Sequence, residues 1–196
     1  MAEELKDYSA PYNPDLKFED FSKEALVRLI KAYRTIFVGL MGMWNTNNRK
    51  RMSLEEAFNL DAEVYERVLR KFYLPLLREA MNIQGDDVLA LLKIFQVAPD
   101  GAGGQFYEFE HDVKSPDHVV LTFTRCPSLA YFEATGTDKD VQCLCGPGGV
   151  EDRAFAQFCK LTNPNMTSTA LQVPPRKNKD GICCKWEFKV NRPQTA

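Results

Sequence analysis

Apolar residues recur at helical spacing through the first half of the chain and alternate through much of the second. From Ser22 onward, Leu26, Leu29, Ile30, Tyr33, Ile36, Phe37, Leu40, Met41 and Trp44 repeat with the helix period, and the polar run Asn45 to Arg51 closes the pattern. Ser22 suits the N-cap of this helix because its hydroxyl can accept from a free backbone N–H of the first turn. Ser53-Leu-Glu-Glu56 has capping-box spacing and predicts a short helix. A second helix start at Asp61 leads into Val64, Val68, Phe72 and Leu76, with Pro75 inside the pattern and a kink or break expected there. Asp86 or Asp87 then opens a helix through Val88, Leu91, Leu92 and Phe95, closed by Pro99 and Gly101.

After Gly104 the period changes. Gln105–Val113 and Val119–Arg125 alternate and are rich in aromatic and β-branched residues, with Ser115-Pro-Asp117 between them, so they read as a hairpin. Asp152 starts a helix with Phe155, Phe158 and Cys159 on one side. Thr167–Val173 and Ile182–Val190 read as two further strands, joined by the turn-rich segment 174–181. Helices followed by strands predict an α+β fold, with N-terminal helices packed on a C-terminal antiparallel sheet of about four strands. The expected organisation is an N-terminal arm over 1–17 and one domain over 18–196. That domain is helical over 18–100 and mostly β over 101–196.

Composition narrows the function classes. The 196 residues are 44% hydrophobic and 27% charged, which suits a globular chain with a real core. Lys and Arg number 25 against 27 Asp and Glu, a net charge of −2, which argues against a nucleic-acid partner. No run of 18 apolar residues predicts a membrane span. The first residues show no basic stretch followed by an apolar one, so a cytoplasmic location is expected.

The six cysteines need explaining, because none occurs before Cys126. In a reducing compartment, clustered thiols point to metal binding or thiol chemistry rather than to disulfides. Strand parity over Ile182–Val190 sends Cys184, Trp186 and Phe188 toward the interior and Cys183 toward water. Cys126 ends the second hairpin strand. Cys143 and Cys145 flank Leu144 in an expected loop before a helix, and Cys159 reads as core. Cys126, Cys143, Cys145 and Cys184 are therefore the candidate metal ligands. Four thiolates would complete a zinc site or hold an iron–sulfur cluster, and three would leave a position open. Trp44, Tyr131 and Trp186 are candidate walls of a small-molecule pocket. His111 and His118, beside Asp112 and Asp117, read as exposed turn residues, and Glu133 as a solvated carboxylate.

Several phrases occur in a telling order: Gly42-Met-Trp44, Asn59-Leu-Asp-Ala62-Glu-Val-Tyr65-Glu-Arg67, Arg125-Cys-Pro127, Phe155-Ala-Gln-Phe158, Asn163-Pro164, Pro174-Pro175 and Cys184-Lys-Trp186-Glu-Phe188. Over about Phe18 to Val190 the chain resembles an uncharacterised family of cytosolic, cysteine-containing proteins of anaerobic bacteria and archaea. That family is distantly similar to the L-2-amino-thiazoline-4-carboxylate hydrolase family and to small-molecule-binding domains similar to vinyl reductases. Asn45, Asn47 and Asn48 stand where the family tends to carry acids, which removes any role those acids have.

Two functions follow as expectations. One is a small-molecule-binding protein with a cysteine-ligated metal or iron–sulfur site. The other, which the resemblance implies, is a hydrolase of a ring C–N bond in a small heterocyclic or amide substrate, with Cys126 or Cys145 as nucleophile. A homodimer is left open.

Overall fold

A computed structural model describes residues 4–101 and 105–192. The outermost parts of the expected arm (1–3) and β part (193–196), and the stretch 102–104, lie outside the described residues. The first helix, α1 (Lys23–Asn48), is capped by the Ser22 hydroxyl, which accepts from the Ala25 N–H. It runs through Asn45–Asn48 before stopping, so the polar run ends it one turn later than the apolar pattern does. Ahead of it, Leu5 pairs with Phe21 through a single β-bridge, which fastens part of the arm to the start of α1.

Ser53 and Glu56 form the expected capping box at the start of α2 (Leu54–Val68). Asp61 opens no new helix; it lies inside α2, where its carboxylate accepts from the Asn45 amide of α1. The irregularity expected at Pro75 takes the form of a π-helical turn over Leu69–Tyr73, followed directly by α3 (Leu74–Met81) with the proline in its first turn. A missing N–H is tolerated there, because first-turn donors have no intrahelical acceptor. Asn82 ends α3 in the left-handed conformation. Asp87, not Asp86, caps α4 (Val88–Val97), accepting from Ala90 N–H at 2.8 Å.

The second half is a four-stranded antiparallel sheet interrupted by three helices. Strands β1 (Glu108–Ser115) and β2 (His118–Arg125) form the hairpin; α5 (Pro127–Thr135), α6 (Asp138–Cys145) and α7 (Val150–Thr162) follow. Strands β3 (Met166–Gln172) and β4 (Cys184–Val190) complete the sheet, in the order β1-β2-β4-β3. The fold is α+β, as the pattern predicts. Helices α5 and α6 are the difference, since the stretch from Cys143 to Gly149 reads as a loop and the pattern assigns no element over 127–142.

Register puts Val119 opposite Phe188 and Leu121 opposite Trp186, all on one face of the sheet. Helices α4 and α7 cover that face. Phe95 meets Phe158 at 5.0 Å, and Phe155 meets Trp186 at 4.8 Å between ring centroids. This is the main core. A second, smaller core of Phe58, Leu129, Phe132, Val141, Leu144, Cys145 and Cys183 wraps the end of the sheet under α2, α5 and α6. Phe123 touches both cores. Asp140 is buried beside the second core, held by its capping box with Thr137 and by the Arg49 guanidinium.

Leu91 has no exposed surface at the centre of the main core. Leu91→Ala should lower the unfolding free energy by about 2–5 kcal/mol through lost burial and the cavity left behind, as read from urea denaturation.

Candidate functional site

The ends of four elements converge where the two cores meet. Strand β2 stops at Arg125, and Cys126 is the N-cap of α5, its Sγ accepting from the Leu129 N–H at 3.4 Å. Pro127 at the first helical position fixes that cap. Cys145 is the last residue of α6. A turn through Gly146–Gly149 reverses the chain; Gly148 takes φ +74°, a conformation that favours glycine. Its N–H donates to Asp152 Oδ2 at 2.8 Å, and α7 then starts with Glu151 in its first turn. Across the sheet, Cys183 N–H donates to Phe123 O at 2.7 Å, and Cys184 begins β4 opposite Phe123.

Cys126, Cys145, Cys183, Cys184 and Glu151 lie close enough for their charges to interact. Burial pushes the Cys126 thiol up to about 12; the Leu129 N–H opposes this, and Glu151 and Cys183 add to it. Desolvation thus outweighs the helix N-terminus, which on its own favours a thiolate. Burial first, and then Glu151 and Cys126, drive Cys145 well up. Burial raises Cys184 as well, with a hydrogen bond from Trp186 working against the rise. At neutral pH these groups are thiols.

Glu151 is displaced to about 7, chiefly by burial and then by the neighbouring Asp100 carboxylate. Among the described residues no hydrogen bond or ion pair favours its charged form. Asp100 is itself raised by burial, and Tyr65 donates to its Oδ2 at 2.6 Å. Tyr107 sits near Glu151 and Cys126, and its hydroxyl is 3.5 Å from Ser128 Oγ. Tyr65, Asp100, Tyr107, Cys126, Cys184 and Glu151 keep some accessible surface although protein surrounds each of them closely.

The structure thus brings together Cys126, Cys145 and Cys184 of the four expected ligands. Cys143 sits apart on α6, in an electrostatic neighbourhood of Glu55, Lys139, Asp140 and Arg49. It lies on a helix and not in a loop, so one residue of spacing from Cys145 turns it to another side. Cys183, expected to face water, is buried in the second core because α5 and α6 cover the back of the sheet at that end. Its sulfur lies 3.8 Å from the Arg176 guanidinium. Glu133 is not a solvated carboxylate, for Arg176 grips it with two contacts of 2.8 Å.

Trp44, Tyr131 and Trp186 do not share a wall. Trp44 is exposed on α1, Tyr131 is exposed on α5, and Trp186 lies in the main core. His118 pairs with Glu187 at 2.8 Å, and Asp117 with Arg192 at 2.7 Å. His111 is exposed beside Phe109. Glu151, Asp100, Tyr65 and Tyr107 were not legible as site residues. Glu151 follows a glycine turn as any first-turn helix acid does, and nothing in the sequence separates it from Asp152.

Among the described residues, no group of three or more His, Cys, Asp or Glu side chains is placed to hold a metal ion. Comparison with protein-family models, curated proteins and solved structures returns no match for this chain.

The shift of Glu151 from an ordinary 4.5 to about 7 carries a pH signature. Between these values the folded chain holds a proton that the unfolded chain has released, so its stabilising effect is present below 4.5 and lost as pH rises through 7. Glu151→Gln has no such loss. Relative to the wild type, the variant should gain up to about 3 kcal/mol at pH 8 and almost nothing at pH 4, as read from urea denaturation at both values.

Proposed function

We propose that this chain is a small-molecule-binding protein whose ligand docks against Glu151, beside Cys126, Cys145 and Cys184. The observation that supports this most is the half-buried Glu151 carboxyl, within electrostatic reach of Cys126, Cys145, Cys184 and Tyr107 and with no hydrogen bond or ion pair among the described residues. Partial burial strips such a carboxylate of some hydration, and a ligand bearing an N–H donor or a positive charge would offset that cost. Amines, amidines and nitrogen heterocycles are the matching chemistry. All six cysteines are free, which suits a reducing compartment, so a cytoplasmic location is part of the proposal. No described helix is long and apolar enough to cross a membrane.

A second reading, a zinc or iron–sulfur centre, draws on the soft donor set of Cys126, Cys145, Cys184 and Glu151. As they stand, these side chains do not surround one point. Direct thiolate attack on a ring C–N bond has less support. Burial and the neighbouring Glu151 charge hold Cys126 as a thiol, so a thiolate nucleophile would have to form against both. A hydrolytic role would leave Glu151, not a resting thiolate, as the proton-handling group.

A thermal-shift screen of amines, amidines and nitrogen heterocycles separates these readings when it is run on the wild type and on Glu151→Gln. The expected result is a set of compounds that stabilise the wild type and bind the variant at least tenfold more weakly, about 1.4 kcal/mol. Compounds that stabilise both equally, or none that stabilise either, overturn the proposal. A parallel titration with Co²⁺ reports the metal reading. A thiolate charge-transfer band that survives Cys143→Ser and vanishes in Cys126→Ser and Cys184→Ser would establish a metal centre in its place.

A further inference from the structure

Helix α1 carries an apolar face that, among the described residues, stays open over its middle and end. Leu26, Leu29, Tyr33, Ile36, Leu40 and Met43 follow one another at spacings of 3, 4, 3, 4 and 3 residues, and Asn47 continues the series. That is the seam of a two-helix supercoil, repeated over three heptads. The side chains that tie α1 to its own domain leave on other sides of the helix. Arg34 donates to Pro99 O and Gly101 O, Phe37 packs on the main core, and Asn45 donates to Asp61. The seam residues at the middle and end of the helix stay open, with Ile36 65%, Leu40 64% and Met43 68% exposed.

Beside the seam runs a column of small residues seven apart: Ala25, Ala32, Gly39 and Thr46. Gly39 is a helix-interior glycine that costs about 0.5–1 kcal/mol relative to alanine. Among the described residues no atom lies within 4 Å of where its Cβ would be, so packing inside the chain does not require it. A second helix approaching along the column beyond Ala25, which the chain itself buries, would make use of it.

We propose that α1 pairs with α1 of a second copy of this chain in an antiparallel, two-fold helical seam. Charge decides the direction. Every charged residue of α1 (Lys23, Glu24, Arg28, Lys31 and Arg34) lies in its first half, and Thr35–Asn48 has none. Parallel pairing stacks two net-positive halves on each other, whereas antiparallel pairing sets each against a neutral half. The seam then has a register in which each of its six apolar positions finds an apolar partner. Leu26 meets Met43 of the second copy, Leu29 meets Leu40, and Tyr33 meets Ile36, with the two-fold axis between residues 34 and 35. The closed two-fold contact uses the same patch on both copies. It stands independently of the ligand site.

Sedimentation equilibrium on the full chain at micromolar concentration tests this. The wild type should weigh twice 22.4 kDa, and Leu40→Glu and, separately, Met43→Glu should dissociate at least tenfold more readily while keeping the wild-type circular dichroism. Met43 is so exposed that its replacement leaves the monomer fold unperturbed even if Leu40→Glu does not fold. A monomeric wild type, or a dimer that both variants leave intact, overturns the proposal. Direction is read separately with oxidised glutathione as oxidant. A mixture of Leu26→Cys and Met43→Cys chains should give a cross-linked heterodimer, and a Met43→Cys homodimer cross-link in its place overturns the antiparallel arrangement.

Discussion

Everything in the second half of the molecule depends on two hydrophobic cores sharing the end of one sheet. At the start of β4 the backbone pleat sends adjacent side chains to opposite faces. Cys183 therefore enters the small core under α5 and α6 while Cys184 borders the large one under α7. Phe123, the register partner of Cys184, belongs to both. Polar groups are trapped at such a boundary, because each core excludes water from its own side. Burial there raises the thiols and Glu151 together, and no single ion pair is needed to explain the shifts.

Most of the architecture was legible because it rests on local signals. Ser22, the Ser53–Glu56 box and Asp87 announce helix starts through hydrogen bonds that reach only three residues. The alternation in β2 and β4 reports a sheet with one apolar face. Helices α5 and α6 carry signals of the same kind, Pro127 at a first helical position and Thr137 with Asp140 as a box. Their glycine and proline neighbours and the two cysteines gave that stretch the look of a loop. Cys183 escaped for a different reason. Parity assigns a side chain to a face but cannot say whether that face is covered, and the covering helices were the ones missed.

The site was legible only in part, and the division follows from physics. Cysteines are rare enough that clustering in sequence draws attention, and Cys126, Cys145 and Cys184 lie within electrostatic reach of one another without forming a group placed to hold a metal ion. Glutamates and aspartates are common, and only the tertiary environment distinguishes Glu151 or Asp100 from the many solvated acids around them. The same environment changes the meaning of the thiols. A cluster of cysteines suggests thiolates when read as letters, yet desolvation holds these protonated even where a helix N-terminus faces one of them. Glu151, displaced to about 7, is the group of this cluster whose charge changes near neutrality.

Helix α1 and the acids of the cluster are linked through one side chain. Arg34 lies on α1 next to Tyr33, and its guanidinium holds the carbonyls of Pro99 and Gly101. Those two carbonyls flank Asp100, which accepts from Tyr65 and raises Glu151. The same segment is held by α4, since Ala98 N–H donates to Ile94 O and Gly101 N–H to Ala98 O. Asp100 is therefore positioned jointly by α1 and α4, two helices far apart in sequence, which is why no local pattern marks it.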